Sequence, residues 1–126
     1  MAARIPGGQP WGAAVRLLLA AMLFFPSLAH AHAILVDSAP PLEATIPPGV
    51  TRLLLRFNSR IDHARSRLIL RQNQSDTALP LDPAAGPDLM TATATVAPGA
   101  YTLRWQVLAL DGHVTRGDVP FTVRAP

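Results

Sequence analysis

The stretch Gly99-Ala-Tyr-Thr-Leu-Arg-Trp-Gln-Val-Leu-Ala109 decides the fold, because large apolar residues occupy its odd positions and polar residues most of its even ones. Successive side chains of a strand point to opposite faces, so one face of this strand should lie in a core. The pair Pro98-Gly99 suits a type II turn, with proline fixing φ and glycine supplying a positive φ. The expected core face comprises Tyr101, Leu103, Trp105, Val107 and Ala109.

Similar short runs recur through the chain, and the part after residue 31 contains no sustained helical period. Asp62–Arg65 is expected to form a helical turn or a loop, and Gln72–Asp88 a loop with one short strand near Leu79–Leu81. About seven short strands with frequent turns predict an all-β antiparallel sandwich, immunoglobulin-like or cupredoxin-like. The other strands are predicted at Ile34–Asp37, Arg52–Asn58, Leu68–Gln72, Thr91–Val96 and Val119–Val123.

The N-terminal region has the features of a secretory signal peptide. Leu17–Leu28 is an apolar run that is too short for a membrane-spanning helix, which needs about 20 residues. It fits the hydrophobic region of a signal, and Ala29-His30-Ala31 matches the small-x-small cleavage pattern. We therefore expect residues 1–31 to be a signal peptide and residues 32–126 to form one domain.

The cleavage position decides which residue becomes the new N-terminus. Cleavage after Ala31 exposes His32, cleavage after Ala29 exposes His30, and cleavage after Ala33 removes both histidines. Cleavage after Ala31 is favoured. Because no cysteine and no second long apolar run follow, we expect an exported, soluble protein without a lipid anchor.

Composition argues against several classes of function. From His32 onward nine arginines face eight acidic residues, a net charge of +1, and the arginines are spread among apolar residues. Nucleic-acid binding is therefore not expected. The absence of cysteine excludes disulfides, thiolate metal sites and cysteine nucleophiles.

Asp111-Gly112-His113 follows the Tyr101–Leu110 strand and carries two potential metal ligands. In an extended chain the two side chains would project from the same side, although Asp-Gly also favours an Asx turn with no metal. A free N-terminal His32 would add an amine and an imidazole, which can chelate one ion together. Such nitrogen and oxygen donors suit Cu(II). Proton displacement should weaken binding at acid pH.

The sequence resembles the CopC/PcoC family of periplasmic copper-binding proteins at both ends of the predicted domain. The first matching stretch is His32-Ala-Ile-Leu-Val-Asp-Ser-Ala-Pro40, with histidine first and Ser-x-Pro after an apolar run. The second is Gly99-Ala-Tyr-Thr-Leu-Arg-Trp105, followed by Asp111-Gly112-His113, Gly117 and Phe121. The spacing from His32 to Ser-x-Pro also supports cleavage after Ala31.

The resemblance implies a Greek-key sandwich or barrel that binds Cu(II) through His32, His113 and nearby Asp111. It also implies copper trafficking, buffering or resistance, often beside an inner-membrane importer of the CopD type, and we expect a monomer without enzymatic activity. Met90 is the only methionine of the predicted domain, so a methionine-rich Cu(I) site is not expected. Ser59 stands where some members carry a glutamate.

Two other functions stay open on the sequence alone. One is a copper oxidase with a histidine brace, and the other is an adhesion or interaction sandwich without metal. His63 is expected to be a solvated loop residue or a weak ligand, and Asp37 and Asp118 are candidates for orienting a ligand histidine. No serine has an adjacent base motif, so nucleophilic catalysis has no support.

Overall fold

A computed structural model describes residues 32–126, and the predicted signal peptide, residues 1–31, lies outside the described residues. The described part is built from strands joined by turns and short loops. The strands are β1 (Leu35–Ala39), β2 (Thr45–Ile46), β3 (Gly49–Phe57), β4 (Ile61–Gln72), β5 (Ser75–Ala78), β6 (Leu89–Val96), β7 (Gly99–Ala109) and β8 (Val114–Val123).

The strands form two sheets. One has the order β1-β3-β6 and the other the order β2-β8-β7-β4-β5. All neighbouring strands run antiparallel except β2, which lies parallel to β8. The all-β, immunoglobulin-like sandwich that the sequence predicts is confirmed, with eight strands instead of about seven. Within residues 32–126, no helix has the length and apolar character needed to cross a membrane.

The core lies between the two sheets, and strand alternation explains its composition. The odd-numbered residues of β7 from Tyr101 to Ala109 point inward and are at most 8% exposed, as their pattern predicts. From the opposite sheet, Phe57 meets the Trp105 ring edge-to-face at a centroid distance of 5.2 Å. Tyr101 stacks on Phe121, and its hydroxyl donates to the Ala97 carbonyl at 2.9 Å. Apolar burial of this kind is the main stabilising contribution to a small domain.

Gly117 makes room for the largest core side chain. It pairs with Trp105 across β7 and β8, and the indole ring packs directly against its backbone. A Cβ atom at position 117 would lie only 2.6 Å from Cε2 of the indole. The absence of a side chain is therefore a packing requirement, because a buried indole cannot move aside without displacing its neighbours.

Replacing Gly117 by alanine is expected to lower the free energy of unfolding by about 1–3 kcal/mol, the usual cost of overpacking a core. Urea unfolding followed by tryptophan fluorescence measures the change. Gly86→Ala is the matched control, because a Cβ atom there meets its nearest neighbour at 3.4 Å. Equal stability of the Gly117→Ala and wild-type domains would contradict this account of the core.

Two sequence predictions about local structure are wrong. Asp62–Arg65 belongs to β4, where the register with β7 shifts between Asp62 and Arg67. Ser66 bridges this irregularity, since its hydroxyl donates to the Asp62 carbonyl at 2.6 Å and accepts from the Leu108 amide at 3.1 Å. Side-chain hydrogen bonds of this type replace backbone hydrogen bonds that are missing between the paired strands. The alternation of apolar and polar residues in the sequence does not reveal them.

The second error concerns the short strand expected near Leu79–Leu81. The strand is β5, which pairs with β4 from Ser75 opposite Gln72. Asn73 and Gln74 form the tight turn, with φ values of 50° and 68°. Turns with positive φ usually contain glycine, so this hairpin carries no strong sequence signal. Leu79 and Leu81 instead pack against the core from outside the strand.

Candidate metal centre

The β7–β8 loop carries two of the three predicted ligands. The chain turns at Leu110–Gly112, and Gly112 has a φ of 87°. The Asp111 carboxylate accepts a hydrogen bond from the His113 backbone N–H at 3.0 Å, which makes the loop an Asx turn. The chain is therefore turned at this point, whereas the expectation that Asp111 and His113 project from the same side assumed an extended strand. The Asx turn itself brings the two side chains together.

Asp111 is the centre of the cluster. Its Oδ2 lies 2.9 Å from Nδ1 of His113 and 3.5 Å from Nδ1 of His32. The two imidazole rings meet edge-to-face with centroids 4.4 Å apart. One carboxylate thus contacts two histidines from opposite ends of the described chain.

His32 reaches the cluster because the residues after it are held firmly. Ala33 is fully buried, and its carbonyl accepts a hydrogen bond from the Thr115 hydroxyl at 2.8 Å. The Ile34 amide donates to the Asn58 side chain at 2.8 Å, and the Asn58 amide donates to the Ile34 carbonyl at 2.9 Å. This segment therefore runs between the end of β3 and the start of β8, with His32 beside the Asx turn.

The three side chains have the composition and spacing of a metal-binding group. One potential ligand atom from each of His32, Asp111 and His113 lies within 4.8 Å of the others. The side chains of His32 and His113 are 42% and 64% exposed, whereas that of Asp111 is 19% exposed. Two imidazoles and a carboxylate form a donor set that suits Cu(II), Ni(II) or Zn(II) and can be reached from solvent.

The local electrostatics keep the Asp111 carboxylate ionised. The backbone hydrogen bond from His113 is the largest cause that lowers the pKa of Asp111 below its ordinary value of 3.8. Partial burial opposes this shift. The hydrogen bond to the His113 ring and the positive charge available on both imidazoles lower the pKa further. A carboxylate stabilised in this way favours a cation in the cluster.

We expect the Asp111 carboxyl in the metal-free domain to titrate below 3.8 in a carbon-detected NMR titration. Because the folded-state pKa is lowered, the stability contributed by the ionised group is present above the unfolded pKa and disappears as the pH falls through the folded one. His113→Ala keeps the backbone N–H, so it should reverse only part of the shift. A pKa at or above the ordinary value would contradict the Asx-turn geometry.

The remaining residues considered from the sequence lie elsewhere or have other contacts. His63 is half-buried on β4, where its Nε2 lies 2.6 Å from the Leu89 carbonyl, so the expectation of a solvated loop residue is wrong.

Asp37 contacts Arg56 and Asp118 contacts Arg104, so neither orients a histidine of the cluster. Met90 is completely buried in the core.

Two residues that support the cluster were not identified from the sequence. Asn58 and Thr115 hold the segment after His32 through contacts to residues 24 and 82 positions away. Polar residues near strand ends are common, and only the tertiary structure shows which backbone groups they reach. Ser59 has a buried hydroxyl with no hydrogen-bond partner among the described residues.

The described residues form a small β-sandwich with an exposed histidine–carboxylate cluster at one end, an arrangement that could hold a metal ion. The family model of the CopC domain matches residues 35–124. The chain belongs to the CopC domain family. No curated protein sequence matches the chain.

Solved structures agree with this assignment. The crystal structure of CopC from Methylosinus trichosporium OB3b is 26% identical with a TM-score of 0.66, and the match covers 75% of this chain and 95% of that one. PcoC, a methionine-rich copper resistance protein from Escherichia coli, is 22% identical with a TM-score of 0.62, with 75% and 100% covered. The second likeness shows the fold alone.

Proposed function

We propose that the domain binds one Cu(II) ion through the amine and imidazole of a processed N-terminal His32, the imidazole of His113 and the carboxylate of Asp111. The observation that carries the proposal is that one ligand atom from each of these three residues, which come from opposite ends of the described chain, lies within 4.8 Å of the others. Membership of the CopC family supports copper as the metal. The donor set of nitrogen and oxygen atoms supports the oxidised ion.

The N-terminal amine is the part of the proposal that depends on processing. Cleavage after Ala31 would leave His32 as the first residue, immediately before the buried Ala33. The anchored segment after it would then hold the free amine beside the imidazole of the same residue. A chelate that is positioned before the ion arrives binds more tightly than a flexible one, because less conformational entropy is lost on binding.

The cellular role that fits these properties is copper trafficking, buffering or resistance in the periplasm. An exposed cluster allows ligand exchange with another protein, and an inner-membrane importer of the CopD type is the expected partner of a monomeric carrier. A carrier is favoured over an oxidase, because the aromatic side chains of β7 and β8 are buried in the core, where they cannot form a substrate-binding face beside the cluster.

A competitive Cu(II) titration of the domain beginning at His32 tests the proposed function. One equivalent of Cu(II) should bind, and the affinity should fall as the pH is lowered, because protons compete for the amine and the imidazoles. The absence of stoichiometric uptake would overturn the proposal. Mass spectrometry of the exported protein tests the processing step, and a mature chain that lacks His32 would exclude the amine chelate.

A further inference from the structure

The outer face of the five-stranded sheet carries a groove that the metal centre does not use. Its volume is about 400 Å³, and three strands, β4, β7 and β8, line it. The lining contains three arginines and one acid, so the groove has a net charge of +2. The side chains that matter are Arg67, Ile69, Arg104, Gln106, Arg116 and Asp118.

The sheet register fixes the spacing of these cations. Arg67 and Arg116 flank Gln106 on one row of paired residues, and Arg104 lies on the row two residues earlier in β7. The Arg116 Nε donates to the Gln106 side chain at 2.8 Å, and the Arg104 Nε donates to Asp118 at 3.3 Å. These bonds orient two guanidinium groups while using only one donor of each.

Arg67 differs from these two arginines. Its exposed side chain makes no hydrogen bond or ion pair with any residue between 32 and 126. Because Asp118 already pairs with Arg104, the positive charge of Arg67 and Arg116 is not balanced by a nearby acid. A ligand with carboxylates would supply that balance.

Strands β7 and β8, which line the groove, also lead to the turn that carries Asp111, and two exposed apolar side chains lie near that turn. Val114 and Leu110 are 49% and 70% exposed, and both lie at the end of the hairpin that carries Asp111. Val114 is two residues from Arg116 along β8, a distance of about 7 Å. A partner that sits in the groove and extends along β8 would therefore meet Val114 and approach His113, which precedes it in the chain.

We propose that this face is a docking surface for an acidic, extended segment of another protein that exchanges metal with the cluster. Arginine forks bind carboxylates in a bidentate manner, and carboxylates at alternate positions of an extended segment recur at about 7 Å, the spacing of the two arginine rows. A concave groove that also contains Asp118 suits a defined peptide better than a flat anionic membrane. The exchange role rests on the proposed copper function, whereas docking itself does not require copper.

The test uses the domain beginning at His32 and a synthetic peptide of alternating glutamate and valine. In an NMR titration at low salt, the peptide should shift the amide signals around Arg67, Gln106 and Arg116 and reach saturation. A peptide with glutamine in place of glutamate should not bind. The double variant Arg67→Gln/Arg116→Gln should weaken binding about tenfold, the combined effect of two exposed charge pairs. Added salt should also weaken binding.

The matched control is Arg52→Gln/Arg124→Gln, which removes the same charge from exposed arginines outside the groove. Equal weakening in both double variants would overturn the proposal, because net charge alone would then explain binding. Complete competition by equimolar inorganic phosphate would overturn it in favour of a simple anion pocket. Tighter binding of the same residues to anionic phospholipid vesicles would overturn it in favour of a membrane surface.

A Cu(II) titration of the same variants separates this proposal from the copper function. If both proposals are correct, the groove variants bind Cu(II) with unchanged affinity, and only their peptide binding is weakened. Peptide binding without any Cu(II) uptake would support the docking surface and remove its exchange role. Cu(II) uptake without saturable peptide binding would overturn the docking surface alone.

Discussion

Acetylation of the His32 amine is expected to weaken Cu(II) binding to the processed domain by at least about 100-fold. An amide nitrogen is not basic at neutral pH, so the acetylated residue keeps one of its two nitrogen donors and loses the chelate ring. Loss of a group that only orients a metal ligand typically costs about 10–100-fold in affinity, and loss of a ligand should cost at least as much.

The amino-acid composition restricts the acetylation to one site. The chain contains no lysine, so the N-terminal amine is the only aliphatic amine of the processed domain. An acetylating reagent followed by hydroxylamine, which removes esters from hydroxyl groups, should therefore modify one site. The matched control is the same treatment of a form that begins at Ile34, whose weak Cu(II) binding should not change. Equal affinity of the acetylated and free domains would exclude the amine as a ligand.

Replacing His113 by alanine is the second change with a large expected effect. It removes one imidazole from the cluster and should weaken Cu(II) binding by about 100-fold or more. The His113 side chain is 64% exposed, so the free energy of unfolding of the metal-free domain should change by less than about 0.5 kcal/mol. The His113→Ala variant should therefore lose Cu(II) affinity while keeping the free energy of unfolding of the wild-type domain.

His63→Ala is the matched control for His113→Ala. His63 lies on β4 with its Nε2 against the Leu89 carbonyl, and it is outside the histidine–carboxylate cluster. Its removal should cost stability through the lost hydrogen bond, about 1 kcal/mol, and leave the Cu(II) affinity unchanged. The opposite pattern, with normal Cu(II) binding in His113→Ala and loss in His63→Ala, would contradict the assigned site.

The core could be predicted because apolar residues at alternate positions of a strand lie on the same face, which is the buried one. The inward face of β7 and the apolar positions Val119, Phe121 and Val123 of β8 are buried as the sequence indicates. Local irregularities were not predictable. The register shift in β4 lies beside Ser66, whose hydroxyl contacts Leu108 at a sequence separation of 42. The Asn73-Gln74 turn lacks the glycine that is usual in such turns.

The candidate site was predictable in its residues and less so in its geometry. His32 and Asp111-Gly112-His113 stand out as ligand types at the ends of the domain, and the structure brings them together. The sequence left the choice between an extended segment and an Asx turn open, and the turn is what forms. The support from Asn58 and Thr115 depends on long-range backbone contacts that composition and spacing do not encode.

Pulsed electron paramagnetic resonance of the domain that begins at His32, loaded with one equivalent of Cu(II), measures how many histidines bind the ion. The distant ring nitrogen of each coordinated imidazole gives a characteristic modulation, so the number of bound histidines can be counted. If His32 and His113 both bind the ion, two imidazoles are expected in the wild-type and His63→Ala domains and one in His113→Ala. A spectrum that shows no imidazole, or one that is unchanged in His113→Ala, would contradict this expectation.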